Sequence, residues 1–128
     1  MSAKNSILFL DDSEDLQILM KHFIERTCDC KLLAASSLSE LKDLGSEALN
    51  CKMALLDINL GPDKPSGIDG YHWLHDQGFR SPIYFFTGHA PRFPLVQEAE
   101  RLSKAKVLTK PVDPKVLKQL IRDSCEIH

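Results

Sequence analysis

The sequence predicts an α/β fold, a parallel sheet of five strands with helices on both faces, and two observations predict it. Short apolar runs without polar alternation recur along the 128 residues, the pattern of strands buried on both sides. Amphipathic helical stripes separate them with short connections, which for parallel strands means right-handed crossovers and a doubly wound sheet. The central run is Met53-Ala54-Leu55-Leu56-Asp57, four apolar residues that stop at a carboxylate. A carboxylate there lies where open α/β sheets form their ligand crevice.

In chain order, residues 6–10 form the first strand and end at Asp11-Asp12. Asp12 or Ser13 caps a helix whose stripe is Leu16, Leu19, Met20, Phe23 and Ile24, spaced for one buried face. Residues 30–34 make a second strand, and Ser37-Leu38-Ser39-Glu40 fits a capping box that opens a second helix with Leu38, Leu41, Leu44 and Ala48. After the central strand at 53–57 comes a turn-rich loop from Gly61 to Gly67, then a third helix from about Asp69 to Gln77 that Gly78 terminates. Residues 82–86 form the fourth strand and run into Thr87. Pro91 and Pro94 delay the fourth helix, which starts near Pro94 and uses Leu95, Val96, Ala99 and Leu102. The fifth strand, 106–109, ends at Lys110-Pro111, and Asp113-Pro114 starts a last helix with Val116, Leu117, Leu120 and Ile121 on one face. This makes five strands and five helices, without an internal repeat or a linker, so residues 1–128 are expected to form one domain.

Composition narrows the function. The net charge is -2 and Lys and Arg do not cluster, which argues against direct nucleic-acid binding. No apolar run is long enough to span a membrane and residues 1–5 lead into no signal region, so a cytoplasmic protein is expected. Cys28, Cys30, Cys51 and Cys125 lack the paired spacing of a zinc site and are expected to be reduced thiols.

If the strands are parallel, Asp11, Asp12, Asp57, Thr87 and Lys110 meet at one edge of the sheet. Each alone is ordinary as a cap or turn residue, but their shared place in successive strand-helix units is not a capping pattern. Three neighbouring carboxylates repel unless a cation intervenes. A hard divalent ion with oxygen ligands answers that, and an ammonium and a hydroxyl complete a cradle for a phosphoryl group. An aspartate can itself be the nucleophile that forms an acyl phosphate.

The motifs Leu8-Phe9-Leu10-Asp11-Asp12, Leu55-Leu56-Asp57, Phe86-Thr87-Gly88 and Thr109-Lys110-Pro111 together resemble the receiver domain of bacterial two-component response regulators, over essentially the whole chain. The resemblance implies a flavodoxin-like sheet of order 2-1-3-4-5. It implies that Asp57 accepts a phosphoryl group from a histidine kinase or a histidine phosphotransfer protein. Asp12 and Asp57 would bind Mg²⁺ directly, with Mn²⁺ as an alternative ion, Asp11 through water, and Asn59 by its backbone carbonyl. Thr87 and Lys110 would contact the phosphoryl oxygens, and the Lys110–Pro111 bond would be cis. The chain would not be an enzyme beyond Mg²⁺-dependent self-phosphorylation from a donor and slow self-dephosphorylation. With no output domain in these residues, the signal would pass to an unknown downstream protein or by onward relay. The sequence leaves the oligomeric state open.

Three departures stand out. The 61–67 loop is longer than the family's. Val107 stands where the family often carries an aromatic residue that swings inward with the Thr, and valine is too small and stiff at χ1 for that. Pro91 and Pro94 shorten a helix of the signalling face. Asn59 and His89 sit where the family tunes hydrolysis, so they are expected to set the phosphoryl lifetime. Haloacid-dehalogenase-type phosphohydrolases share the chemistry, but they carry the nucleophile first and the acidic pair last, the reverse of this chain. A phosphorylation-independent receiver-like interaction module is the remaining alternative.

Overall fold

In the computed structural model the described residues are 5–61, 64–88, 94–102, 105–110 and 112–126. The strands are β1 (Ser6–Leu10), β2 (Lys31–Ala35), β3 (Met53–Asp57), β4 (Ile83–Thr87) and β5 (Ala105–Thr109). The helices are α1 (Glu14–Thr27), α2 (Leu38–Leu44), α3 (Ser46–Leu49), α4 (Gly67–Asp76), α5 (Pro94–Glu100) and α6 (Pro114–Glu126). All strand pairings are parallel, in the order β2-β1-β3-β4-β5.

Strand alternation builds a core on each face of the sheet. Leu8, Leu10, Ala54, Leu56 and Phe85 face one side, under residues of α2 to α5. Ile7, Phe9, Met53, Leu55 and Phe86 face the other, under Met20 and Ile24 of α1 and Leu117 and Ile121 of α6. All five residues of β3 are buried, as a central strand of a doubly wound sheet requires. The strand order reverses between β1 and β3, so their carboxyl ends open the crevice in which ligands of such sheets bind.

Several expectations change. The single second helix is two, α2 and α3, so the described residues hold six helices, not five. Gly45 separates them with φ +57°, a left-handed conformation that no helix passes through. Its N–H bonds the Lys42 carbonyl and its own carbonyl receives Ala48 and Leu49. β2 and β4 each lie one residue later than expected. Leu19 is 64% exposed and Val116 45% exposed, although both belong to the predicted apolar stripes. α1 and α6 bury only the centre of each stripe against the sheet, and these two lie at its rim. The predicted third helix begins earlier, at Gly67. His89, Pro91, Pro62, Asp63 and the isomer of the Lys110–Pro111 bond lie outside the described residues.

Candidate functional site

The predicted residues stand at the carboxyl ends of β1, β3, β4 and β5, and the main chain fastens each to its neighbour. The Asp11 N–H donates to the Ala35 carbonyl at 3.0 Å, Ile58 N–H to Phe86 at 2.9 Å, and Lys110 N–H to Thr87 at 2.7 Å.

Asp11 is 1% exposed. Its carboxylate accepts from the Ser13 N–H at 2.9 Å and from Lys110 Nζ at 3.1 Å. Gln17 Nε2 donates to the Asp11 carbonyl at 2.6 Å and to Ser36 Oγ at 3.0 Å, which ties α1 to the edge of β1. Ser13, rather than Asp12, caps α1, and Asp12 stays exposed over the crevice.

Asp57 is 5% exposed. Its Oδ1 accepts from the Asn59 N–H at 3.3 Å and its Oδ2 lies 3.4 Å from Lys110 Nζ. Burial, then the charge of Asp11, pushes its pKa up from 3.8 to about 6, against the opposing pull of Lys110 and the Asn59 N–H. For Lys110, burial works against the charged form. The Asp57 charge and the Asp11 hydrogen bond outweigh it and hold the ammonium above its ordinary range. Thr87 is 2% exposed and ends β4 beside this pair.

Oxygen atoms of Asp11, Asp12 and Asp57 lie within 4.8 Å of one another, the one such acidic cluster among the described residues. Three carboxylates against one ammonium leave excess negative charge, and hard oxygen donors in that number suit a divalent cation of the Mg²⁺ type. An open pocket of ≈ 360 Å³ lined by Asp12, Asp57, Asn59, Gly61, Gly88 and Lys110 gives solvent and ligands access to the Asp57 side. Asn59 Oδ1 accepts from the Gly61 N–H at 2.9 Å, an Asx turn that shapes the rim. Val107 is half-buried, paired in register with Phe85 and packed on the α2–α5 side of the core.

Two residues that matter here escaped the sequence reading. Gln17 lies outside the apolar stripe that the sequence predicts for α1. Gly67 lies so close to the strand end that a Cβ on it would sit 2.1 Å from the Asp57 carbonyl oxygen, and its N–H bonds Ile58 at 3.0 Å. The signal for this start was present as Ser66-x-x-Asp69. The Ser66 N–H donates to Asp69 Oδ2 at 2.8 Å, and Ser66 Oγ accepts from Ile68 N–H at 3.2 Å.

A family model described as response regulator receiver domain matches residues 7–122. The structure is similar to chemotaxis protein CheY4 of Vibrio cholerae, with TM-score 0.78 and 18% identity over 95% of this chain and 99% of that one. A receiver domain protein of Clostridium thermocellum gives TM-score 0.78 and 22% identity, covering 94% and 93%. The receiver domain of NtrX from Brucella abortus gives 0.77 and 20%, covering 95% and 99%. At these identities the likenesses speak for the fold. No curated protein matches the chain.

Proposed function

We propose, for a chain that belongs to the response regulator receiver domain family of two-component signalling, that Asp57 takes a phosphoryl group from a phosphohistidine of a histidine kinase or histidine phosphotransfer protein. One observation carries this: Asp57 ends the central strand, buried, with an ammonium 3.4 Å away and two further carboxylates around it. A carboxylate oxygen bonds to phosphorus as the bond from phosphorus to the donor imidazole breaks, and the imidazole leaves with that electron pair. Lys110 meets the phosphoryl oxygens as a fixed positive charge, and the Thr87 hydroxyl donates to them. Asp11, Asp12 and Asp57, with the backbone carbonyl of Asn59, would hold Mg²⁺ or Mn²⁺. When bound, that ion neutralises the carboxylates and the incoming phosphoryl oxygens.

In this reading residues 1–128 are one receiver unit. The acyl phosphate adds charge and acceptor oxygens that draw on Lys110 and Thr87, biasing the β4–α5 and β5–α6 surface toward a downstream protein. The chain's own chemistry stops at self-phosphorylation and slow hydrolysis, tuned by Asn59 and His89. Among the described residues no helix is long and apolar enough to cross a membrane. The half-buried Val107 in place of an aromatic switch favours a second reading, an interaction module that works without phosphorylation.

Intact mass after incubation with a small acyl phosphate, with and without Mg²⁺, tests both. The expected result is one phosphoryl adduct that needs Mg²⁺ and is absent in Asp57→Asn. No adduct under any condition, including with a kinase that phosphorylates other receivers, would discard the first reading and leave the second.

A further inference from the structure

Three of the four cysteines gather at the amino edge of the sheet, opposite the carboxylates. α1 ends where the Cys28 N–H donates to the Ile24 carbonyl at 3.1 Å. Asp29 then takes φ +54°, and this left-handed step turns the chain so that Cys30 faces inward ahead of β2. Cys125 comes from the last turn of α6, which runs antiparallel to the strands and ends at the same edge. The Cys30 and Cys125 sulfurs are 3.7 Å apart although 95 residues separate them in sequence. A disulfide is about 2.0 Å long, so the two sulfurs need only draw closer to bond.

Cys30 is 3% exposed and half-buried Cys125 lies beside it. A pocket of ≈ 230 Å³ lined by Thr27, Cys28, Lys118 and Arg122 reaches both sulfurs from solvent. Lys118 and Arg122 place two positive charges at its mouth. Cys51 is the contrast: it lies in the core on the other face of the sheet, its thiol donating to the Glu47 carbonyl.

We propose that Cys30 and Cys125 are a redox pair: hydrogen peroxide converts them to a reversible disulfide that clasps the last turn of α6 to the amino end of β2. The Cys125 thiolate attacks peroxide, the O–O bond breaks, and hydroxide leaves, giving a sulfenic acid. The Cys30 thiol then displaces hydroxide from that sulfur. Overall two thiols and one peroxide give one disulfide and two waters. Burial pushes the Cys30 thiol up to about 12, so it is the slow resolving partner rather than the first to react.

The test is a peroxide pulse on the folded chain, then unfolding, alkylation and peptide mapping, with circular dichroism of every variant. The expected product is a Cys30–Cys125 linked pair lighter by two hydrogens, absent after dithiothreitol, with Cys51 alkylated throughout. Cys28→Ser keeps the link and Cys125→Ser loses it. Cys30→Ala leaves a sulfenic acid at Cys125 that a cyclic 1,3-dione traps. No linked pair in the wild-type chain, a link through Cys28, or links only between chains would each overturn the proposal, whatever the variants do.

Discussion

At the carboxyl edge of the sheet, burial beside Asp11 brings the Asp57 pKa to about 6; at the amino edge, burial beside Cys125 brings the Cys30 thiol to about 12. Both are weak acids taken out of water, and both have an acidic neighbour. The difference is what opposes burial. Asp57 has an ammonium at 3.4 Å and a backbone N–H at 3.3 Å on its two oxygens, whereas every influence on Cys30 points toward the neutral form. Burial alone makes a quiet group. Burial balanced by a fixed cation makes one that is ionised at neutral pH yet poorly solvated, the condition of a ready nucleophile.

Removing the cation breaks that contrast most severely. Lys110→Ala should lower the rate of phosphoryl uptake about 10²–10³-fold, measured by adduct formation over time, and should raise the Asp57 pKa further. An unchanged rate would mean that the ammonium is not what separates the two edges.

Next in size is Gly67→Ala. The added methyl meets the Asp57 carbonyl oxygen and should cost about 3 kcal/mol in urea unfolding by overpacking, with uptake falling as the strand end shifts. Full stability in this variant would show that the start of α4 yields.

The third turns on pH. Asp57 binds its proton more tightly folded (pKa about 6) than at its ordinary 3.8. Its favourable contribution is therefore complete below about pH 4 and is lost as pH rises through about 6. Without metal, the ionised carboxylate costs about 3 kcal/mol at neutral pH, or somewhat less after relaxation. Asp57→Asn should accordingly stabilise the metal-free chain by about 1–3 kcal/mol at pH 7 and by little at pH 4, read from melting curves. Equal effects at both pH values would contradict the assignment. The smallest effect is Gln17→Ala, about 1 kcal/mol from the lost bonds to the Asp11 carbonyl and Ser36.

The strands were legible because each is an unbroken apolar run, and the acidic, hydroxyl and ammonium groups were legible because they punctuate those runs. Boundaries slipped where the signal was local. Gly45 sits inside a continuing apolar period, so periodicity carried the second helix through a residue whose φ of +57° ends it. The early start of α4 was written in Ser66 and Asp69, but the proline- and glycine-rich loop before them hid it. Leu19 and Val116 fit their stripes, yet a stripe does not say how wide a face the sheet covers. Gln17 and the sulfur pair were invisible for a different reason: both join positions distant in sequence, and no spacing rule announces such a meeting.

The hydrogen bonds that fasten the carboxyl edge, Asp11 to Ala35, Ile58 to Phe86 and Lys110 to Thr87, use only peptide atoms. Those cross-strand bonds do not depend on the side chains displayed there, although the Asp11 and Asp57 carboxylates also accept the Ser13 and Asn59 N–H groups. A designer who replaced the groups at positions 11, 12, 57, 87 and 110 to bind another ion or hold another anion would keep the cross-strand bonds and would need new acceptors for those two N–H groups. Grafted chemistry usually fails for want of rigid support; here the support is already built into the backbone.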